Sequence, residues 1–197
     1  MRITKDIPYG PNGMHLDLYA PDQDGFDTLI WFHGGGFEAG SRRDAEPLAE
    51  SVTALGLGFA SVEYHMFPSA RFPDFLLDAA WSVAFLQKHG QDCGCGGRFV
   101  ISGQSAGAYI TMMLALNGAL LHNAGVDETS ILAYVSESSQ QTTHYNILRQ
   151  RGIDSRAERI DEEAPLYYVG QRPLTKPLLL IYNAEDIPCR PEQNLLM

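Results

Sequence analysis

No run of about 18 consecutive apolar residues occurs in this 197-residue chain, so no segment reads as a membrane-spanning helix. Met1 to Tyr9 carries Arg2, Lys5 and Asp6 where a signal peptide would need an apolar stretch. Cysteine is scarce. Cys93, Cys95 and Cys189 are an odd count for a secreted disulfide framework, and Cys93-Gly94-Cys95 lacks the second ligand pair that a zinc site needs. Together these absences point to a cytoplasmic location, to thiols that are structural or incidental, and to no membrane partner. Basic residues are also in deficit, with 14 Lys and Arg against 24 Asp and Glu and a formal charge of −10. That balance repels a phosphate backbone and argues against nucleic acid as a partner. The remaining composition, 45% hydrophobic and 19% charged, excludes disorder and collagen-like repeats. The length suits one domain, 1–197, built on a single core.

Short apolar runs bounded by turn signals alternate with longer stretches of helical spacing. Ile3 to Tyr9 and His15 to Tyr19, separated by Gly10-Pro11-Asn12-Gly13, predict an antiparallel hairpin at one edge of a sheet. Buried strands follow at Thr28 to Phe32, Gly58 to Tyr64, Arg98 to Ser102, Ile131 to Ser136 and Pro177 to Tyr182. Helices are predicted over Arg43 to Leu55, Asp74 to His89 and Ala106 to Asn117. This alternation predicts an α/β fold, a mainly parallel sheet with helices on both faces. Between residues 137 and 173 the pattern gives way to a polar, charge-dense excursion. It reads as a solvated helical segment or as a lid over the active site.

The chemistry-bearing residues fall at strand ends. Gly103-Gln104-Ser105-Ala106-Gly107 follows one strand and opens a helix. The five-residue pattern alone is weak, but its strand-to-helix context is specific. A turn this tight forces the serine into strained backbone angles and needs glycine two residues to either side. The hydroxyl then projects at the C-terminal edge of the sheet, beside helix amides that favour developing negative charge. His33-Gly34-Gly35-Gly36-Phe37 follows another strand. Consecutive glycines let backbone amides approach a substrate oxygen closely, which an oxyanion hole requires. A phosphate cradle is the rival, but neither a Lys-Ser/Thr pair nor G-x-G-x-x-G is present. His33 is read as holding the loop. Asp186, just past the last strand, falls on the same rim as Ser105, with Glu185 or a plain turn residue as the other readings.

The glycine loop and the elbow together resemble the α/β-hydrolase superfamily, in the branch of hormone-sensitive-lipase-like and small carboxylesterases. Tyr64-His65-Met66-Phe67-Pro68, Phe72-Pro73 with Asp78, and Ala164-Pro165-Leu166-Tyr167-Tyr168 resemble further blocks of that branch. The resemblance implies an α/β-hydrolase fold whose last strand and helix are not among these residues. It implies Ser105 as nucleophile, amides of Gly34, Gly35, Gly36 and Ala106 as oxyanion hole, and Asp186 as the acid of a triad. It implies a small-molecule ester as substrate, short-chain or acetyl, with no metal or organic cofactor; a homo-oligomer is the expected assembly. Kynurenine-formamidase-like amide hydrolysis is the enzymatic alternative.

Two departures stand out. His65 occupies the place of a family arginine, so Asp78 is expected to pair with His65 or Arg71. The superfamily order is Ser, Asp, His, yet all six histidines precede Asp186. Three accounts follow: these residues are a truncated form of a working esterase, His144 serves as base, or the chain is a non-catalytic relative that binds a small ligand or partner.

Overall fold

The computed structural model covers residues 1–197. Seven strands form one sheet: β1 (Arg2–Tyr9), β2 (Met14–Ala20), β3 (Phe26–Phe32), β4 (Gly58–Val62), β5 (Cys95–Gln104), β6 (Ile131–Glu137) and β7 (Leu178–Ile181). Their spatial order is β1-β2-β4-β3-β5-β6-β7. β1 and β2 form the antiparallel hairpin, β2 joins β4 antiparallel, and every pairing from β4 to β7 is parallel. The chain thus has the α/β-hydrolase type of sheet, whose strand ends from β3, β5, β6 and β7 share one rim.

Helices cover both faces. The pair α2 (Asp74–His89) and α3 (Ala106–Leu116) packs on one side through Phe75, Leu76, Val83, Tyr109 and Met113 against Ile30, Phe32, Phe99 and Ile101. On the other side α1 (Glu46–Ala54) sets Ala49 against Tyr19, Trp31 and Phe59. The predicted helix from Arg43 begins as a 3-10 turn, Arg42–Ala45, because Pro47 sits in the first turn of α1 and starts the α-helix afresh. Every residue of α3 but the last is buried. The small residues Ala106, Gly107 and Ala108 let its first turn lie directly on the sheet. A short helix α4 (Gly118–Asn123) follows, and no helix is long and apolar enough to cross a membrane.

The excursion departs from the solvated picture. Ser139 to His144 is buried although every side chain in it is polar, and α5 (Tyr145–Gln150) buries Asn146, Ile147 and Leu148. Much of the polar run is hydrogen-bonded by a distant partner, α6 (Arg190–Leu195), although Gln141 Oε1 and His144 Nε2 stay without a partner. Gln193 Oε1 accepts from the amides of Gln141 (2.8 Å) and Thr142 (3.2 Å), and Asn194 Nδ2 donates to Ser139 O (2.8 Å). The exposed part is Arg151 to Glu163, where Arg151 pairs with Asp161 and Glu163. At the sheet's edge, β7 leaves Leu179 and Ile181 exposed.

Candidate active site

β5 ends at Gln104 and α3 starts at Ala106, so Ser105 alone makes the turn, with φ 53° and ψ −111°. A non-glycine residue in that region carries strain on the order of 1–3 kcal/mol. It is held there by its amide, which donates to Glu137 O at the end of β6 (2.8 Å), and by the Tyr109 amide, which donates to Ser105 O (2.9 Å). The flanking glycines are required sterically. A Cβ on Gly107 would fall 2.5 Å from the Phe32 carbonyl carbon and 2.7 Å from His33 O, so only glycine lets α3 approach the end of β3. Gly103 makes the matching approach to the backbone of Gly107. The serine is half-buried, and its hydroxyl has no hydrogen-bond partner.

The glycine loop runs alongside. A Cβ on Gly34 would meet Ser105 Cβ at 3.4 Å and Gln104 O at 3.2 Å, so the loop runs alongside the elbow with little room for a side chain between them. Gly35 and Gly36 have φ of 113° and 64°, which glycine alone adopts freely. The carbonyls of the loop are each engaged from behind: Gly34 O lies 2.7 Å from His33 Nδ1, Gly35 O accepts from the amides of Glu38 and Ala39, and Gly36 O accepts from Asn146 Nδ2 at 2.6 Å. The amides of Gly34, Gly35 and Gly36 donate to no protein acceptor. Ala106 opens α3, so its amide has no acceptor within the helix. Free donors on a loop whose carbonyls are pinned are what a developing oxyanion needs. Ser105, Gly34 and Gly35 border a cleft of about 510 Å³ together with Trp31, Gln104 and Glu137.

His33 belongs to the support of the loop. Its ring stacks on Tyr64 at 4.3 Å, Nε2 lies 3.1 Å from Glu63 Oε1, and the Tyr64 hydroxyl donates to His33 O at 2.7 Å. Glu63 in turn meets Arg42, whose guanidinium also binds the fully buried Asp17 at 3.0 Å. Burial pushes the Glu63 carboxyl up, but the His33 bond and the Arg42 amide and charge outweigh it and hold it below its usual range. Sequence reading passed over Glu63, Arg42 and Asn146, because nothing in their local pattern marks them. Asp78 pairs with His65, accepting from its amide (2.9 Å) and lying 2.8 Å from Nδ1; the only bond of Arg71 near it runs from its backbone to Asp74.

Asp186 follows β7 in a turn, where its amide donates to Asn183 O. Oδ1 accepts from the Ile187 amide at 2.7 Å and faces Arg190 at 3.8 Å, while Oδ2 is buried with no partner. One carboxylate oxygen is therefore left for a donor. None of the six histidines contacts it. His144 caps α5: Nδ1 accepts from the Asn146 amide at 3.2 Å, and the ring is enclosed by Phe37, Tyr109 and Tyr145. Burial, and secondarily the Arg190 charge, drives its pKa down to about 3. The neutral ring then carries its proton on Nε2, which leaves no free lone pair to take one from Ser105. The reading of His144 as the base is overturned on this geometry.

The BD-FAE family model matches residues 16–150, from β2 through the elbow to the end of α5. The chain belongs to the BD-FAE family. Among curated relatives, it is 32% identical over 123 residues to Esterase LipQ of Mycobacterium tuberculosis, covering 58% of this chain and 29% of LipQ. It is 34% identical over 93 residues to the hormone-sensitive lipase of Homo sapiens, covering 46% of this chain and 9% of the lipase. The chain thus spans less than a third of either relative. Two solved structures share the fold at 20% identity: a putative thioesterase from a Silicibacter species (TM-score 0.77, 98% of this chain and 71% of that one) and an esterase from Pyrobaculum calidifontis (TM-score 0.74, 98% and 69%).

Proposed function

We propose that this BD-FAE family member is a carboxylic ester hydrolase that works through an acyl-serine intermediate. The observation that carries the proposal is the strained Ser105 set beside a glycine loop whose amides are free while its carbonyls are pinned. Ser105 Oγ attacks the ester carbonyl, and amides of Gly34, Gly35, Gly36 and Ala106 receive the oxyanion. The alcohol leaves, and water releases the acid from the serine. Each step needs a proton carrier. Asp186, with its partnerless Oδ2, is the acceptor on which an imidazole would dock in the order serine, acid, histidine. None of these six histidines occupies that position. The reaction itself calls for no metal.

Substrates of this reading are small esters, because the cleft beside Ser105 is of modest volume. The esterase names of LipQ and the Pyrobaculum calidifontis protein favour esters over the amide alternative. The segment 137–173 serves as part of the active-site wall: α5 touches the glycine loop through Asn146 and through Tyr145, whose hydroxyl lies against Gly36. Turnover of short-chain nitrophenyl esters by the chain and by Ser105→Ala, with and without added imidazole, tests the proposal. Imidazole-stimulated hydrolysis above the rate of imidazole without protein, lost in Ser105→Ala, is the expected result. Stimulation equal in both forms refutes it.

A further inference from the structure

His33 is buried, and both of its ring nitrogens face oxygen. Nδ1 lies 2.7 Å from Gly34 O, and Nε2 lies 3.1 Å from Glu63 Oε1. A peptide carbonyl can only accept, so Nδ1 carries a proton. One further proton is left to place between Nε2 and Glu63. The other oxygen of that carboxyl, Oε2, faces the Arg42 amide at 3.3 Å and the Arg42 guanidinium at 3.4 Å, which favours the ionised form. The proton therefore sits on Nε2, and the ring is an imidazolium that donates from both nitrogens. Tyr64 fits this state on two counts. Its ring stacks on the imidazole at 4.3 Å, where a cation meets the negative face of an aromatic. Its hydroxyl donates to His33 O, so the same oxygen, 3.4 Å from Nδ1, turns a lone pair toward the ring.

Charge balance points the same way. Arg42 binds Asp17 and Glu63, one positive charge against two negative, and only a cation at His33 evens the enclosed set. Asp6, the remaining partner of Arg42, is 58% exposed and screened by water. With a neutral ring, Glu63 would set an uncompensated negative charge behind the loop that has to receive an oxyanion. Gly34 O and the Gly35 N–H, moreover, belong to one peptide unit. A charged donor on the oxygen draws electron density through the amide and makes that N–H a stronger donor. The Gly35 amide has no protein acceptor, and Gly34 and Gly35 both line the Ser105 cleft. We propose that His33 is a positioning residue for ester hydrolysis, an imidazolium held in that state by Glu63 that polarises the Gly34–Gly35 peptide and so strengthens the Gly35 amide toward the oxyanion. This deepens the proposed ester hydrolysis and rests on it for the oxyanion. A mere prop would need only the Nδ1 proton, which a neutral ring also supplies; the charge is what Glu63 adds.

The test joins ring NMR to turnover, in the chain and in Glu63→Gln, which keeps a polar neighbour beside Nε2 but removes the charge. Long-range proton–nitrogen spectra at neutral pH should show both His33 nitrogens protonated in the chain and one of them bare in Glu63→Gln, with the Gly35 amide nitrogen resonance shifting alongside. Imidazole-stimulated turnover of a short-chain nitrophenyl ester, per folded protein, should fall roughly threefold to thirtyfold in kcat with KM little changed, short of the hundredfold or more that outright loss of an oxyanion donor costs. A bare ring nitrogen on His33 in the unsubstituted chain overturns the proposal, and that reading needs no variant to fold. Turnover undiminished when Glu63→Gln strips the ring proton, or lowered through KM alone, also overturns it and leaves His33 as a prop. A ring that keeps both protons in Glu63→Gln refutes the part given to Glu63. If Glu63→Gln fails to fold, His33→Gln, a neutral amide donor for Gly34 O, carries the turnover comparison, and full turnover there refutes the role of the charge. A doubly protonated His33 whose proton loss moves the Gly35 amide, in a chain without Ser105-dependent turnover, would uphold the polarised peptide and sink the hydrolase reading instead.

Discussion

Replacing Gly107 by alanine sets two physical effects against each other, and the structure decides between them. Alanine is the better helix former by about 1 kcal/mol, so a purely local view predicts stabilisation of α3. The new Cβ, however, would stand 2.5 Å from the Phe32 carbonyl carbon and 2.7 Å from His33 O. Carbon atoms rest at about 3.5 Å or more, so α3 has to retreat from the end of β3 by about 1 Å. Phe32 O lies closer still to that Cβ, which puts the over-packing cost at the upper end of its usual range, about 3 kcal/mol, and after the helix-propensity gain the net loss is about 2 kcal/mol. For a chain of this size that lowers Tm by roughly 4–8 °C. The retreat also carries Ser105 away from Gly34, and a displacement of about 1 Å at a reacting group can cost on the order of a hundredfold in kcat/KM. Thermal unfolding followed by circular dichroism, with ester turnover measured on the folded fraction, reads both effects. An unchanged or raised Tm would refute the steric argument. A lowered Tm with full turnover would show that the approach of α3 to β3 does not position the serine.

Four further outcomes are expected. Asn146→Ala leaves the buried Gly36 carbonyl without its donor, which should cost about 1–3 kcal/mol in chemical unfolding and lower kcat more than it raises KM. His144 is depressed to about 3, so the unfolded chain takes up a proton near its ordinary value of 6.5 while the folded one does not. Stability contributed by that ring is present above 6.5 and should fall by about 1.4 kcal/mol per pH unit as pH drops from there toward 3, a slope that His144→Asn abolishes in urea melts across that range. Glu63→Gln should lose its charge pairing with Arg42 and weaken the hold on His33, reducing unfolding free energy by about 1–3 kcal/mol. Leu179 and Ile181 stand exposed on the edge strand β7, so light scattering should show association that rises with concentration and falls in Ile181→Lys, whereas no association, or association unchanged in Ile181→Lys, would refute pairing through β7.

Much of the sheet could be read in advance because its signals are local. The Gly10-Pro11-Asn12-Gly13 cluster fits one hairpin register, and the apolar stripe from Phe75 to Leu86 defines α2 from Asp74 to His89. The elbow and the glycine loop were equally legible, since each is a backbone requirement written as glycine. The segment 137–173 was not. Ser139 to His144 looks solvated by composition, yet Gln193 and Asn194, about fifty residues on, hydrogen-bond its backbone in the interior. Hydrogen bonds closed over such separations leave no periodicity. Asn146 was missed for the same reason, being an ordinary helix residue until the fold brings Gly36 to it. Position 65 was half legible: the motif marked a partner for Asp78, and the structure chose His65 over Arg71.

The account stands on Ser105 as the nucleophile, and the most direct measurement is fluorophosphonate labelling at alkaline pH, where hydroxide can remove the serine proton, followed by peptide mass spectrometry of the chain and of Ser105→Ala. A phosphonyl group should appear on Ser105, faster than on any other serine, and be lost in Ser105→Ala. A label on a different serine that persists in Ser105→Ala, or no label on Ser105 under these conditions, would contradict it.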